Sequence, residues 1–335
     1  MSDFSDIKVA VVGVGHWHAV IDARYIDHFR DLGTQIVGVS DSDRDIAESR
    51  GRLFAAPSYP DFREMLSETN PDFVVALGRH SEMAQTANYL IDAGYSFMME
   101  KPMGLSADEL RPVVDHAEAK GTFVAVPYVM RLSPFVRRAT EMIGRGEFGT
   151  ISHAQFRMIR PTPQRYVDNG SSWMLGSEHT GGGCLRNLGG HAFDVFRSIA
   201  GPDVDVVAAS TSSTVHRLPV EDYAIVTLRG GEVIGIVEVG CNYPVDGTDG
   251  EWRIAGSEAH LLWNGDRLIE TRPGRNPIVA NSDTSNGYRD FVADMLNAWQ
   301  QGRPPLATAR DCLLADELID SAYRAAASRL PGESG

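Results

Sequence analysis

Ile7-Lys8-Val9-Ala10-Val11-Val12-Gly13-Val14-Gly15 is the stretch on which the reading of this chain turns. A β-branched run ending on Gly-x-Gly reads as a buried strand entering a tight turn. Apolar residues then recur at helical spacing from near Trp17, at Val20, Ile21, Tyr25 and Phe29. A second strand spans Gln35 to Val39 and ends at Ser40-Asp41. Strand, glycine turn, helix and strand make a βαβ unit, whose turn offers backbone N–H groups and a helix N-terminus to a pyrophosphate. Asp41 stands where an acidic side chain accepts hydrogen bonds from an adenosine ribose. Its charge repels a 2′-phosphate, so NAD is expected rather than NADP.

The third position of the Gly-x-Gly-x-x-Gly/Ala pattern holds His18, where a small residue normally lets helix and strand approach closely. His16 and His18 have no clustered acidic or cysteine partner, so no metal site is expected. The alternation continues downstream. Strands are expected over Asp72–Leu77, Phe97–Met99 and Phe123–Val126, and helices over Ser81–Ala93 and Ala107–Lys120, ended by Gly94 and Gly121. This is the signature of a doubly wound parallel sheet, closed by Pro127.

The second half changes character. A helix is expected from Ser133 to Arg145. Alternating strands follow over Ile151–Ile159, Val204–Ser213, Asp222–Leu228, Gly231–Cys241, Glu251–Ala255 and His260–Asn264. Period-two alternation suits an antiparallel sheet with one buried face. Between the first two strands lies a segment rich in glycine and aromatics, with Trp173 and then Gly181-Gly182-Gly183. A helix is expected from about Leu188 to Ala200. Asn187, His191 and Asp194 then fall at i, i+4 and i+7 on one face. The expected organisation is an N-terminal α/β Rossmann domain over 1–127 and a second α/β domain over 128–335.

Glu100-Lys101-Pro102 ends the Phe97–Met99 strand. In open α/β sheets, ligands bind outside the carboxyl ends of strands, and a partly buried lysine there is a candidate for chemistry. The net charge of −14 argues against nucleic acid or an anionic membrane as partner. The three cysteines, Cys184, Cys241 and Cys312, are scattered and fit a reducing compartment. No run approaches the roughly 18 apolar residues of a membrane span. Residues 1–6 lack the features of a signal peptide, so a cytoplasmic location is expected.

Together these pieces resemble the Gfo/Idh/MocA oxidoreductase family over nearly the whole chain. The resemblance rests on Gly13-Val14-Gly15, on Glu100-Lys101-Pro102, on Gly181-Gly182-Gly183 running to His191 and Asp194, and on the closing segments Phe291–Arg303 and Ala309–Ala327. It implies a Rossmann domain followed by a large open, mainly antiparallel sheet through which homodimers or homotetramers form. It also implies that the closing helices pack back on the Rossmann domain. The implied activity is NAD(P)-linked oxidation of a hydroxyl, or reduction of a ketone, on a sugar, inositol or related polyol.

Residue by residue, Lys101 matches the family's catalytic lysine and His191 its acid/base histidine, and a cis peptide is implied before Pro102. Asn187 stands where many relatives carry Asp, and so adds no charge beside His191. His80 and Met83 replace the Asn and His of a family stretch after the third core strand. The candidate cofactor contacts are Gly13, Gly15, His16, Trp17, Asp41, Leu77, Gly78, His80, Glu100 and Lys101. The candidate substrate contacts are Lys101, Tyr128, Arg131, Trp173, Asn187, His191 and Asp194, with Tyr166 as a further aromatic. His18 and His80 together imply a modified nicotinamide-side pocket. Two other readings are an NAD-retaining glycosidase of the same superfamily and a non-catalytic NAD-sensing regulator.

Overall fold

The computed structural model of the protein describes residues 4–282 and 287–328. Two compact units are present. The first comprises Met1–Tyr128, Gln164–Gly181 and Tyr288–Leu313, and the second Val129–Pro163, Gly182–Gly287 and Leu314–Gly335. Gln164–Gly181 thus belongs with the first unit although its neighbours in sequence do not.

In the first unit, β1 (Lys8–Val12), β2 (Gln35–Ser40), β3 (Ser58–Tyr59), β4 (Phe73–Ala76), β5 (Phe97–Met99) and β6 (Val124–Ala125) form one parallel sheet, ordered β3-β2-β1-β4-β5-β6. Strand order reverses between β1 and β4, which is where such sheets bind ligands. β4 and β5 are wholly buried, as short strands covered on both faces must be. The helix Ala107–Lys120 forms where the sequence expects it. Ser106 caps its first turn by accepting from the Glu109 N–H, and Gly121 ends it at φ +66°.

One expectation is overturned here. The apolar spacing from Trp17 does not make a continuous helix. The turn leads into a single 3-10 turn, Trp17–Ala19, and the α-helix begins only at Tyr25. Asp22 and Arg24 take left-handed conformations between them, which no α-helix accommodates. The sequence reading also passed over β3 and the helices Arg44–Phe54 and Phe62–Thr69.

The second unit carries eight strands: β7 (Ile151–Pro161), β8 (Val204–Ser212), β9 (Tyr223–Gly230), β10 (Val233–Tyr243), β11 (Asp249–Gly256), β12 (His260–Trp263), β13 (Arg267–Thr271) and β14 (Ile278–Asn281). Their order is β14-β13-β12-β11-β7-β10-β9-β8, antiparallel except for the β7/β10 pair. Alternation is plain in β9 and β10. Ala224, Val226, Leu228, Val237 and Val239 are buried, whereas Ile225 and Ile234 face outward. The helix Cys184–Ala200 packs on β10 and β9 and starts four residues before the expected Leu188. Its Phe193 and Phe196 are fully buried, each worth about 1.5–3 kcal/mol by removal from water.

Candidate active site

The glycine turn after β1 is shaped by close backbone approach. Gly13 has φ +71°, and a Cβ there would lie 2.4 Å from the Gly78 nitrogen, just past β4. A Cβ on Gly15 would lie 2.7 Å from Asp41 Oδ2. Backbone blocks any side chain at Gly13, and one at Gly15 would displace the Asp41 carboxylate, so bare backbone meets whatever occupies the cleft. Asp41 braces this turn. Its Oδ2 accepts from the Gly15 N–H at 2.8 Å, and its Oδ1 from the Asp43 N–H at 3.0 Å. A cleft of ≈ 370 Å³ opens here, lined among others by Gly13, Gly15, His16, Asp41, Gly78 and Trp173. Its size and its mix of bare glycine backbone with one acidic strand end fit a dinucleotide such as NAD. Gly13, Gly15 and Gly78 would take the pyrophosphate side, and Asp41 the ribose hydroxyls.

At the end of β5, next to β4, the chain places Glu100 and Lys101, both buried. The peptide between Lys101 and Pro102 is cis. Glu100 Oε1 accepts from the Lys101 backbone N–H at 3.1 Å, and Glu100 Oε2 lies 3.0 Å from His18 Nδ1. Burial alone would raise the Glu100 carboxyl. The charge and hydrogen bond of His18, followed by the charges of Lys101 and His16, overcome it and hold Glu100 well below the usual carboxylate range. The bulky residue in the third position of the glycine pattern therefore has a partner: its ring reaches the carboxylate that precedes the lysine. His16 is lowered well below the ordinary histidine value, first by burial and then by the neighbouring His18, and is neutral near pH 7. Its Nδ1 accepts from the His18 N–H at 3.1 Å. Tyr25, also buried, is raised by burial and by the Glu100 charge.

The expected cofactor contacts separate into two groups. Gly13, Gly15, His16, Asp41 and Gly78 line the cleft. Trp17, Leu77, His80, Glu100 and Lys101 are buried and do not line it. Leu77 continues the β1 ladder through its N–H to Val12 O at 2.8 Å, so its side chain is core. Trp17 packs in a cluster with Tyr166 and Met174. His80 Nδ1 is 3.2 Å from Thr180 O, and its ring meets Trp173 edge-on at 5.2 Å. The His18 ring is held by Glu100, and the His80 ring meets the 164–181 segment at Thr180 and Trp173. Trp173, expected against substrate, stands in the cofactor cleft. Tyr128 is buried in the same unit.

In the second unit, Asn187, His191 and Asp194 share the helix Cys184–Ala200. Asn187 is buried and His191 half-buried. Asp194 is bound by Arg131 through both carboxylate oxygens, from Nε at 2.8 Å and from Nη2 at 2.5 Å. This bidentate pair fixes the Asp194 carboxylate on the face of the helix that also carries Asn187 and His191. One residue that sequence reasoning missed is Glu221. Its carboxylate accepts from the N–H groups of Gly183 and Leu185, each at 2.9 Å, and from the Tyr323 hydroxyl at 2.8 Å. It thereby satisfies donors that every helix N-terminus leaves open. Only its spatial neighbours reveal this role. Among the described residues no cluster of three or more His, Cys, Asp or Glu is arranged to hold a metal ion, and no helix is long and apolar enough to cross a membrane.

The sequence matches two family models. One, described as an oxidoreductase family with an NAD-binding Rossmann fold, covers residues 7–128, and the other, a GFO/IDH/MocA C-terminal domain, covers residues 136–262. The D-apiose dehydrogenase of Paraburkholderia graminis is 24% identical over 95% of this chain and 87% of its own. A D-xylose 1-dehydrogenase [NADP(+)] of Haloarcula marismortui is 23% identical over 79% of this chain and 75% of its own. The WlbA dehydrogenase of Bordetella pertussis, solved with NADH and UDP-GlcNAcA, shares the fold with a TM-score of 0.84 at 20% identity, over 98% of each chain.

Proposed function

Since this chain belongs to the Gfo/Idh/MocA oxidoreductase family, we propose that it transfers a hydride between NAD and the hydroxyl-bearing carbon of a sugar or sugar-derived polyol. The observation that carries this reading is the glycine-walled cleft at the ends of β1 and β4, with Glu100 and Lys101 closing the adjacent strand β5. Relatives named for apiose and xylose support the substrate class.

NAD, when bound, supplies the hydride acceptor. The protein must handle the proton and the charge. His191 is assigned the hydroxyl proton, because an imidazole titrates near neutral pH. Lys101 is assigned the developing negative charge on the reacting oxygen, which a preorganised ammonium stabilises. Asn187 contributes a neutral hydrogen bond and leaves His191 less basic than an aspartate there would. The Arg131–Asp194 pair holds the face of the helix that carries His191. We further assign the protein to the cytoplasm, consistent with three buried free cysteines, and to a homo-oligomer built on the eight-stranded sheet.

The test is a screen of sugars, inositols and sugar acids, following NADH absorbance with NAD and NADP in parallel. At least one sugar or polyol should reduce NAD. Lys101→Ala should abolish turnover while NAD binding persists. Near-normal turnover in that variant would remove the lysine from the mechanism. Cleavage of aryl glycosides without net NADH would instead favour a glycosidase.

A further inference from the structure

The segment Gln164–Gly181 joins β7 to the helix Cys184–Ala200, yet it is part of the nucleotide-binding unit. It is fastened to the glycine turn at several points. Ser171, fully buried, donates its hydroxyl to the Gly15 carbonyl at 3.0 Å. The Trp173 ring lies 5.7 Å from that of His16 and 5.2 Å from that of His80. Tyr166 meets Trp17 edge-on at 5.2 Å, with Met174 in the same buried cluster. The Arg165 guanidinium sits 5.0 Å from the Trp17 ring and near Asp22. At the far end, Thr180 O meets His80 Nδ1.

Gly170 and Trp173 of this segment line the same cleft as Gly13, Gly15 and Asp41. Asn169 and Gly170 also line a side recess with Gly15, Asp43 and Arg50. A glycine turn alone gives a dinucleotide one wall. Here a second wall comes from a part of the chain more than a hundred residues away, and it is fixed to the carbonyl of the very glycine whose N–H Asp41 holds. We infer that residues 164–181 form a clasp that retains the dinucleotide: Trp173 is a cofactor-binding residue, and Ser171 a positioning residue acting through Gly15. This inference rests on the cofactor assignment above and deepens it. Binding would be tight mainly because release is slow, as in most interfaces where affinity is set by the off-rate.

The experiment uses the full chain loaded with NADH. Displacement by excess NAD is followed by NADH fluorescence in a stopped-flow instrument. Trp173→Ala is expected to release NADH about tenfold faster or more, and Ser171→Ala several-fold faster, with smaller changes in association. Trp173→Phe should restore slow release. Circular dichroism and thermal melting check that each variant folds; if Trp173→Ala does not, Ser171→Ala and Trp173→Phe carry the test. Equal release rates in native and folded variant proteins would overturn the clasp while leaving NAD binding intact. A native protein that binds no NADH would overturn both the clasp and the oxidoreductase reading.

Discussion

Glu100 is the residue on which the lysine's surroundings converge. One carboxylate oxygen holds the Lys101 backbone and the other meets His18. Both side chains are buried, so removing the imidazole leaves a buried carboxylate oxygen without that hydrogen bond. His18→Phe should therefore cost about 1–3 kcal/mol in urea unfolding. His18→Asn, which returns a donor near the Nδ1 position, should cost clearly less. Because the folded Glu100 carboxyl is held low, the unfolded chain binds this proton more readily. Its contribution to stability is complete above the ordinary glutamate value of about 4.3 and is lost as pH falls from there towards the lowered folded value. His16 adds a slope of the same sign at higher pH, below about 6.5, since burial keeps it neutral while the unfolded chain takes up a proton. Glu100→Gln should flatten the acid part of the stability profile and His16→Asn the upper part; profiles parallel to the native one would show that neither group titrates as described. Asp41 is the other decisive residue. It both braces the Gly15 and Asp43 amides and carries the charge expected to exclude a 2′-phosphate. Asp41→Asn removes the charge and keeps an acceptor for only one of the Gly15 and Asp43 amides, so it should narrow the preference for NAD over NADP and cost less stability than Asp41→Ala. Asp41→Ala should weaken both cofactors and lose about 1.5–3 kcal/mol. A native preference for NADP would refute the assignment.

At the scale of elements, the helix Cys184–Ala200 shows what holds a candidate site in place. Its first turn follows three glycines and has no side-chain cap of its own. Glu221 replaces that cap from two residues before β9, with the Tyr323 hydroxyl on the same oxygen that serves Leu185. Glu221→Ala should destabilise the protein by about 1.5–3 kcal/mol and fray the turn that carries Asn187. Tyr323→Phe should cost about 0.5–1.5 kcal/mol. Hydrogen exchange at residues 184–187 that matched the native protein would exclude this role for Glu221. The same helix explains where the sequence was legible. β5 and the helix Ala107–Lys120 were read to their terminal residues because their signals are local: a short apolar run, a serine cap and a left-handed glycine. The start at Cys184 was hidden because its cap lies 36 residues away from Leu185. The helix expected from Trp17 failed for a related reason. Its periodicity was real, but His18 goes to Glu100, 82 residues on, and Asp22 and Arg24 break the helical path. Glycine spacing and Asp41 placed the cofactor cleft from sequence. The passage of Trp173 into that cleft follows from the clasp, which no local pattern announces.

Across the whole molecule, the eight-stranded sheet raises a question that single residues do not. One side is covered by the helix Cys184–Ala200, against which Ala224, Val226, Leu228, Val237 and Val239 are buried. The alternate positions of β9 and β10 point the other way. There Ile225 and Ile234 are 38% and 39% exposed. Across the strands Ile225 is paired with Glu238 and Ile234 with Arg229, so the face mixes apolar and charged side chains, and the homo-oligomer proposed above would cover it. A lysine there is long and strongly hydrated, so burying it in the oligomer would cost more than leaving it in water on a separated protomer. Combining Ile225→Lys with Ile234→Lys should therefore lower the mass measured by light scattering while leaving the affinity for NADH unchanged, because neither residue lies in the unit that holds the cofactor cleft. Unchanged mass in this variant would take β9 and β10 out of the interface. A smaller species that had lost NADH binding as well would show that assembly of the sheet is required to form the cofactor site.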